Sequence, residues 1–225
     1  MLQKLKFNDP SKQVWIGSDL HIHHDRGFIF EPRGFTSVKE HDEWIINDIN
    51  SLVSEDDIFI HLGDIMLNSN SNNDFENLLR RIKCKNIVHL FGNHHGPDGE
   101  FYKRKLKEQK NIENAELYPF TPDGYNITFL GNYAEVEINK KNVTLSHFPF
   151  SIFNKSHHSN WNLSGHSHGT NPNTLPDCKT SLVLDCGVDA CKKYWNHSIF
   201  SWKIIQQIMK NKTHLILDHH GKLSQ

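Results

Sequence analysis

The chain has 225 residues, with 25 Lys and Arg against 26 Asp and Glu, a formal net charge of −1, and 17 histidines. The balance excludes the basic excess that marks a nucleic-acid-binding surface, and the length suffices to bury a core without disulfides. Cys84, Cys178, Cys186 and Cys191 form no CxxC pair, which argues against a cysteine zinc site. The N-terminal stretch MLQKLKFNDPSKQ has no apolar h-region, and no run approaches a membrane span. The expectation is therefore a cytoplasmic protein without membrane contact, its thiols reduced.

In chain order, QVWIGSDLH reads as a short buried strand, Val14 to Ile16, running into a turn. SVKEHDEWIINDINSLV reads as a helix: Ser37 and Glu40 have capping-box spacing, and Trp44, Ile45, Ile49 and Leu52 form an apolar stripe. DDIFIHLGD is a second strand. NNDFENLLRRIK is a second helix, with Asn73 and Glu76 as its capping box, and KNIVHLFGNH is a third strand. This βαβαβ order predicts parallel pairing with helical crossovers. The run NSNSNN, Asn68 to Asn73, reads as a loop. FYKRKLKEQK is basic but holds a Glu and reads as a solvated helix face.

The second half changes character. YAEVEINKKNVTLSHFP alternates apolar and polar residues about Asn-Lys-Lys-Asn and predicts a hairpin. WNLSGHSH and SLVLDCGVD read as two more strands, and SWKIIQQIMK as a helix with Ser201 at its N-cap. No linker separates the halves, so one domain over 1–225 is expected. Its architecture is α/β, a four-layer α/β/β/α sandwich of two mixed sheets with helices outside.

The polar residues at the strand ends carry the chemistry. Five strands deliver Asp19 and His21, Asp64, Asn93 and His94, His147, and His166 and His168 just past their carboxyl ends, the edge where open α/β sheets bind ligands. Alternation along an extended strand would put Asp19 with His21, and His166 with His168, on one face. Seven mixed oxygen and imidazole donors exceed one ion's needs. They suit two divalent ions of Mn, Fe, Zn, Ni or Co rather than Ca or Mg. Two such cations can clamp the attacking and leaving oxygens of an in-line displacement, which phosphate-ester hydrolysis requires.

The blocks Asp19-x-His21, Gly63-Asp64, Gly92-Asn93-His94, His147 and Gly165-His166-x-His168 together resemble the calcineurin-like metallophosphoesterases, in order, from residue 17 to about 169. The flanks SDLHIHH, HLGD and CGVD (Cys186 to Asp189) are similar to those of small bacterial and phage members. The resemblance implies that Asp19, His21 and His168 hold one metal and that Asn93, His147 and His166 hold the other. Asp64 would bridge them, and a bridging hydroxide would attack the ester. His94 would face the substrate as the catalytic acid, a role that also suits an imidazole outside the coordination shells. The family has an acidic residue after G-N-H; here it is His95.

The remaining histidines divide. His24 follows His21 and is a candidate substrate contact. Arg33, in EPRGF, is a candidate phosphate clamp, since guanidinium grips phosphate bidentately. His61 and His89 lie inside strands and read as core or supporting residues. His41 reads as solvated, His157 and His158 as loop residues, and His214, His219 and His220 as a frayed tail. The expected substrate is a small phosphomonoester, phosphodiester or nucleotide. Two other functions compete: a non-catalytic metal-binding scaffold for protein contacts, and a nuclease, for which the near-neutral charge supplies no basic groove.

Overall fold

Short apolar strands alternating with amphipathic helices build the first half. The computed structural model describes residues 5–67, 73–94, 96–108 and 124–213, with backbone only at 105–108. The expected features at Asn68 to Asn72, His95, Gln109 to Lys110, His214, His219 and His220 lie outside these residues.

Strands β1 (Leu5–Phe7) and β2 (Val14–Gly17) are followed by α1 (Gly27–Phe30), α2 (Val38–Leu52), β3 (Ile58–His61), α3 (Asp74–Arg81), β4 (Asn86–His89), α4 (Pro97–Glu108) and β5 (Asn126–Phe129). The second half holds β6 (Tyr133–Ile138), β7 (Lys141–Ser146), a 3-10 turn (Ser156–His158), β8 (Trp161–Ser164), β9 (Val183–Asp185), α5 (Val188–Trp195), β10 (Phe200–Ser201) and α6 (Trp202–Lys210). Among the described residues two mixed five-stranded sheets result, ordered β10-β2-β3-β4-β5 and β1-β6-β7-β8-β9. The expected β2-α2-β3-α3-β4 unit is present, with β2, β3 and β4 parallel and in register from Val14↔Ile58 and Ile58↔Asn86.

The β6–β7 hairpin closes through Asn139 and Lys140, both at positive φ (47° and 66°). This is the left-handed pair that a two-residue turn of matching twist requires. The predicted strand SLVLDCGVD ends at Asp185, and Val188 already opens α5. Composition gave no signal for β1, β5 and β10, which are two to four residues long.

The two sheets share one apolar core. Ile16, Ile60 and Val88 from one sheet join Val136, Val143, Leu145 and Leu163 from the other, and α6 adds Trp202, Ile205 and Met209. On the far face of the first sheet, Phe59, Ile87 and Ile127 pack with Ile45 and Ile49 of α2, Leu78 and Leu79 of α3, and Phe101 of α4. The outward residues of the second sheet are polar yet buried: Thr144, Ser146, Asn162 and Ser164. Asn162 donates to Ser146 Oγ (2.9 Å) and accepts the Phe150 N–H (2.9 Å), so the chain after His147 is tied to that face. No helix among the described residues is long and apolar enough to cross a membrane.

Ser37 caps α2 as its spacing predicts, its hydroxyl accepting the Glu40 N–H at 3.2 Å. The reciprocal arm differs: Glu40 accepts from the Thr36 N–H (2.9 Å) and the Thr36 hydroxyl (2.8 Å). In α3 the Asn73 side chain makes no cap bond. His41, expected to be solvated, is fully buried. Four residues before Ile45, it shares the helix face turned to the core. Ser37→Ala should lower stability by about 1 kcal/mol. Urea titration should show this as a lower midpoint at unchanged slope.

Candidate metal centre

The strands that carry the polar blocks end together, and backbone bonds stitch their loops. The Asp19 N–H reaches Gly63 O (3.0 Å), the His21 N–H reaches Asp64 O (3.0 Å), and the Gly165 N–H reaches His147 O (2.9 Å). The i, i+2 pairs do not lie on extended strands as expected. β2 ends at Gly17 and β8 at Ser164. Beyond them Asp19, His21, His166 and His168 all have positive φ, as does Asp64. The side chains converge through left-handed turns, a conformation that Asp and His tolerate better than most residues.

All seven expected donors come together. His21 Nε2 lies 3.2 Å from His168 Nε2, and Asp19 Oδ1 is 4.0 Å and 3.8 Å from these two atoms. His147 Nε2 lies 3.3 Å from Asp64 Oδ2 and 2.9 Å from Asn93 Oδ1. Asn93 Oδ1 is also 2.9 Å from His166 Nδ1. Among the described residues two compact donor groups emerge, Asp19 with His21 and His168, and Asp19 with Asp64 and His147. Asp19 is common to both. Asp64 Oδ2 also reaches between the halves, 3.3 Å from His147 and 4.0 Å from His21.

Hydrogen bonding fits this cluster to cations. Leu62 O lies 3.0 Å from His147 Nδ1 and takes its N–H, so His147 Nε2 turns a lone pair toward the Asp64 carboxylate. Asp189 Oδ2 likewise takes the His168 Nδ1–H at 2.9 Å, so His168 Nε2 turns a lone pair toward His21. An imidazole lone pair facing a carboxylate, as at His147 and Asp64, needs a proton or a cation between them. Asp19 Oδ2 accepts the His166 N–H (2.9 Å), but buried Asp19 Oδ1 has no hydrogen-bond partner. A buried carboxylate oxygen left open among imidazole nitrogens could hold a metal ion.

The titration behaviour agrees. Burial pushes the Asp19 carboxyl up to about 6, against the downward pull of His168 and His147. Burial, with His168 and Arg33 nearby, pushes His21 down to about 2. Burial also opposes charge on Asp64, but the hydrogen bond and charge of His147 and the His94 N–H outweigh it and hold Asp64 well below the usual carboxylate range. His147 and His168 rise despite burial, through Asp64 and Asp19 for the first and Asp189 and Asp19 for the second.

Arg33 is not placed as a phosphate clamp. Its side chain is 1% exposed and forks onto Asp189 through Nε (3.0 Å) and Nη2 (2.7 Å). It also donates to Asp19 O (2.9 Å), Leu20 O (3.3 Å) and His41 Nε2 (2.8 Å). A guanidinium with buried carboxylate and carbonyl partners gains more there than at the surface. Arg33 braces the Asp19–Leu20 turn from behind and fixes the carboxylate that orients His168. Sequence reasoning missed this role of Asp189, although its CGVD segment stood out.

His94 is half-buried at the rim, its ring 5.6 Å from that of His21 and 5.9 Å from that of His24. Its N–H donates to Asp64 Oδ1 at 2.8 Å. His24 lies beside the cluster, its Nδ1 3.1 Å from His21 Nδ1. It is buried at 4% exposure, so only the edge of its ring can meet a ligand. His61 and His89 are buried beneath the turns rather than in the cluster, stacked at 5.3 Å.

No family model matches the chain. It is similar to the uncharacterized protein MJ1445 of Methanocaldococcus jannaschii, at 30% identity over 83 residues, 37% of this chain and 47% of that protein. The chain thus matches about half the length of that relative. The fold is similar to the crystal structure of AQ665, a protein of unknown function from Aquifex aeolicus. The TM-score is 0.56 at 16% identity, covering 88% of this chain and 99% of that one.

A pH dependence follows. The folded Asp19 pKa of about 6 exceeds its unfolded value of 3.8, so this group binds more protons in the fold. Its own contribution to the stability of the metal-free protein is lost as pH rises through that window, opposed by His21, His24, His61 and His166, whose folded values are lowered. The raised His147 and His168 extend this loss above 6.5. Metal binding needs the same groups deprotonated. In thermal melts, the rise in Tm on replacing EDTA by Mn²⁺ should grow from pH 5 to pH 7.5. A rise that shrinks over this range would contradict the assignment.

Proposed function

We propose that the chain is a dinuclear metal-dependent phosphoesterase of the calcineurin-like type, with that family's four-layer α/β/β/α sandwich. The observation that carries this reading is the pair of donor groups sharing buried Asp19, whose Oδ1 is open to a cation. Asp19, His21 and His168 would hold one ion, and Asn93, His147 and His166 the other, with Asp64 between. Two divalent cations there would supply Lewis acidity toward a phosphoryl oxygen and an activated nucleophile at neutral pH.

The chain's own residues do the rest. Leu62 O and Asp189 fix which nitrogen His147 and His168 present. Asn93 and exposed His166 leave the cluster open on one side, where a small phosphate ester can enter. His94 stands at that rim with its backbone tied to Asp64 and its ring beside those of His21 and His24, where it would give a proton to the departing oxygen.

The test is a matrix of metals against a phosphomonoester, a phosphodiester and a cyclic nucleotide on purified protein. Hydrolysis of at least one ester with Mn²⁺, Fe²⁺, Zn²⁺, Ni²⁺ or Co²⁺ is expected. Metal without hydrolysis would favour a scaffold, and cleavage confined to DNA or RNA would favour a nuclease.

Loaded protein should contain two ions per chain, and Asp64→Asn should weaken both, read by metal analysis; one ion per chain at saturation would remove the dinuclear claim. His94→Ala should lower kcat by about 10²–10⁴-fold on an alkyl phosphate and by less on a nitrophenyl ester, with metal content near wild type. Loss of metal in that variant would make His94 a ligand instead.

A further inference from the structure

Large apolar side chains are rarely left in water where the fold can bury them. Among the described residues Phe28, Tyr133, Phe148 and Ile152 are the exposed ones. Phe28 is the most exposed, at 71%, and it stands at the cluster. Its ring meets that of His24 edge-on, centroids 5.6 Å apart at 85°. The His24 ring lies 5.9 Å from that of His94. Phe28, His24 and His94 therefore form a short ladder from open solvent to the residue assigned the leaving-group proton. Phe148 packs instead against His166 at 4.4 Å and His147 at 5.2 Å.

The position of Phe28 is held, not loose. The next two residues of α1, Ile29 and Phe30, are buried at 6% and 8% exposure and anchor that turn. The Arg26 carbonyl accepts the Ile29 N–H at 2.9 Å. The anchored turn thus presents the ring with its edge on His24 and the rest of it open to solvent. A single rigid ring is too small a patch for a protein partner or a membrane, but it matches one planar ring. Base stacking on such a platform tolerates any base, since every base has a π-face.

We propose that Phe28 is a specificity-determining residue: it stacks the aromatic base of a nucleotide whose phosphate ester is cleaved at the cluster, with the nucleoside as the leaving group protonated by His94. This rests on the phosphoesterase reading and names its substrate class. The leaving group must lie on the His94 side of the phosphorus, and Phe28 is the exposed aromatic ring on that side.

The experiment compares kcat/KM of the Mn²⁺-loaded protein on nucleoside 5′-monophosphates and on ribose 5-phosphate. Both carry the same primary ester and differ by the base. If only diesters are cleaved, the pair is a nucleoside cyclic phosphate and the matching cyclic ribose phosphate. Wild type should favour the base-bearing ester by about 5–150-fold, the range that loss of one stacked base implies. Phe28→Ala should bring that ratio toward one, and Phe28→Trp should keep or raise it. A wild-type ratio near one overturns the proposal. So does a ratio that survives Phe28→Ala, or one that collapses in Phe148→Ala instead. If neither ester of either pair is cleaved while another phosphate ester is, the proposal alone fails; if no phosphate ester is cleaved with any metal, the phosphoesterase reading fails with it. Equal cleavage of both leaves that reading standing and removes only the role of Phe28.

Discussion

Five residues of the cluster, Asp19, His21, Asp64, His166 and His168, hold a left-handed backbone, and everything the site does depends on that. A left-handed residue other than glycine costs roughly 1–2 kcal/mol. Five together rival the net stability of an ordinary domain, about 5–15 kcal/mol. They persist because neighbouring turns lock one another: Asp19 to Gly63, His21 to Asp64, and His166 to the Asp19 carboxylate. The turns also leave no room at two glycines. A Cβ on Gly92 would strike the Asp64 carboxylate, and one on Gly165 would strike Ser18 Oγ and Asp19. The glycines before Asn93 and His166 are thus packing requirements, set by how closely each turn's backbone passes a neighbouring carboxylate.

Electrostatics then sorts the groups inside this frame. Arg33 sits behind the cluster, paired with Asp189, and its charge helps keep His21 neutral. His168 and Arg33 hold Asp189 well below the usual carboxylate range against its burial. One carboxylate therefore serves two ends. It neutralises a buried guanidinium and fixes the tautomer of a donor imidazole, the support that metal-binding histidines commonly have. Removing either partner would leave the other charge buried and unpaired, which is costlier than losing the contact alone.

Much of this was legible in the sequence, because the informative signals were periodic or local. The β2-α2-β3-α3-β4 unit followed from apolar runs and the cap at Ser37, and the hairpin followed from strict alternation about Asn139 and Lys140. The seven donors could be singled out because each lies just past a strand end. What stayed hidden depends on contacts distant in sequence. Arg33 and Asp189 are 156 residues apart, and nothing in EPRGF tells a buried guanidinium from an exposed one. His41 was misread amid the polar run KEHDE, although its four-residue spacing to Ile45 and Ile49 marks the inward face. β10 pairs only Phe200 and Ser201 with β2, too short a run for any period to show.

The buried polar residues under the site complete the frame. His61 on β3 and His89 on β4 stand in register, their Nδ1 atoms 3.3 Å apart. The Gly63 N–H donates to His61 Nδ1 at 3.3 Å, so that nitrogen is an acceptor, and burial holds His61 neutral. His89 must then donate from Nδ1. His89 Nε2 is hydrogen-bonded to Asp98 Oδ2 at 2.7 Å. The chain of bonds runs from the first turn of α4 through β4 to the residue preceding Asp64. It joins the two loops, Gly63–Asp64 and Gly92–His94, whose ends supply the carboxylate between the donor groups and the residue assigned to the leaving group. Phe75, Phe91 and Phe129 enclose the His89 ring. In so apolar a setting each of these hydrogen bonds is strong and each unmade one is costly. The geometry of Asp64 is thereby coupled to the packing of a helix outside the cluster.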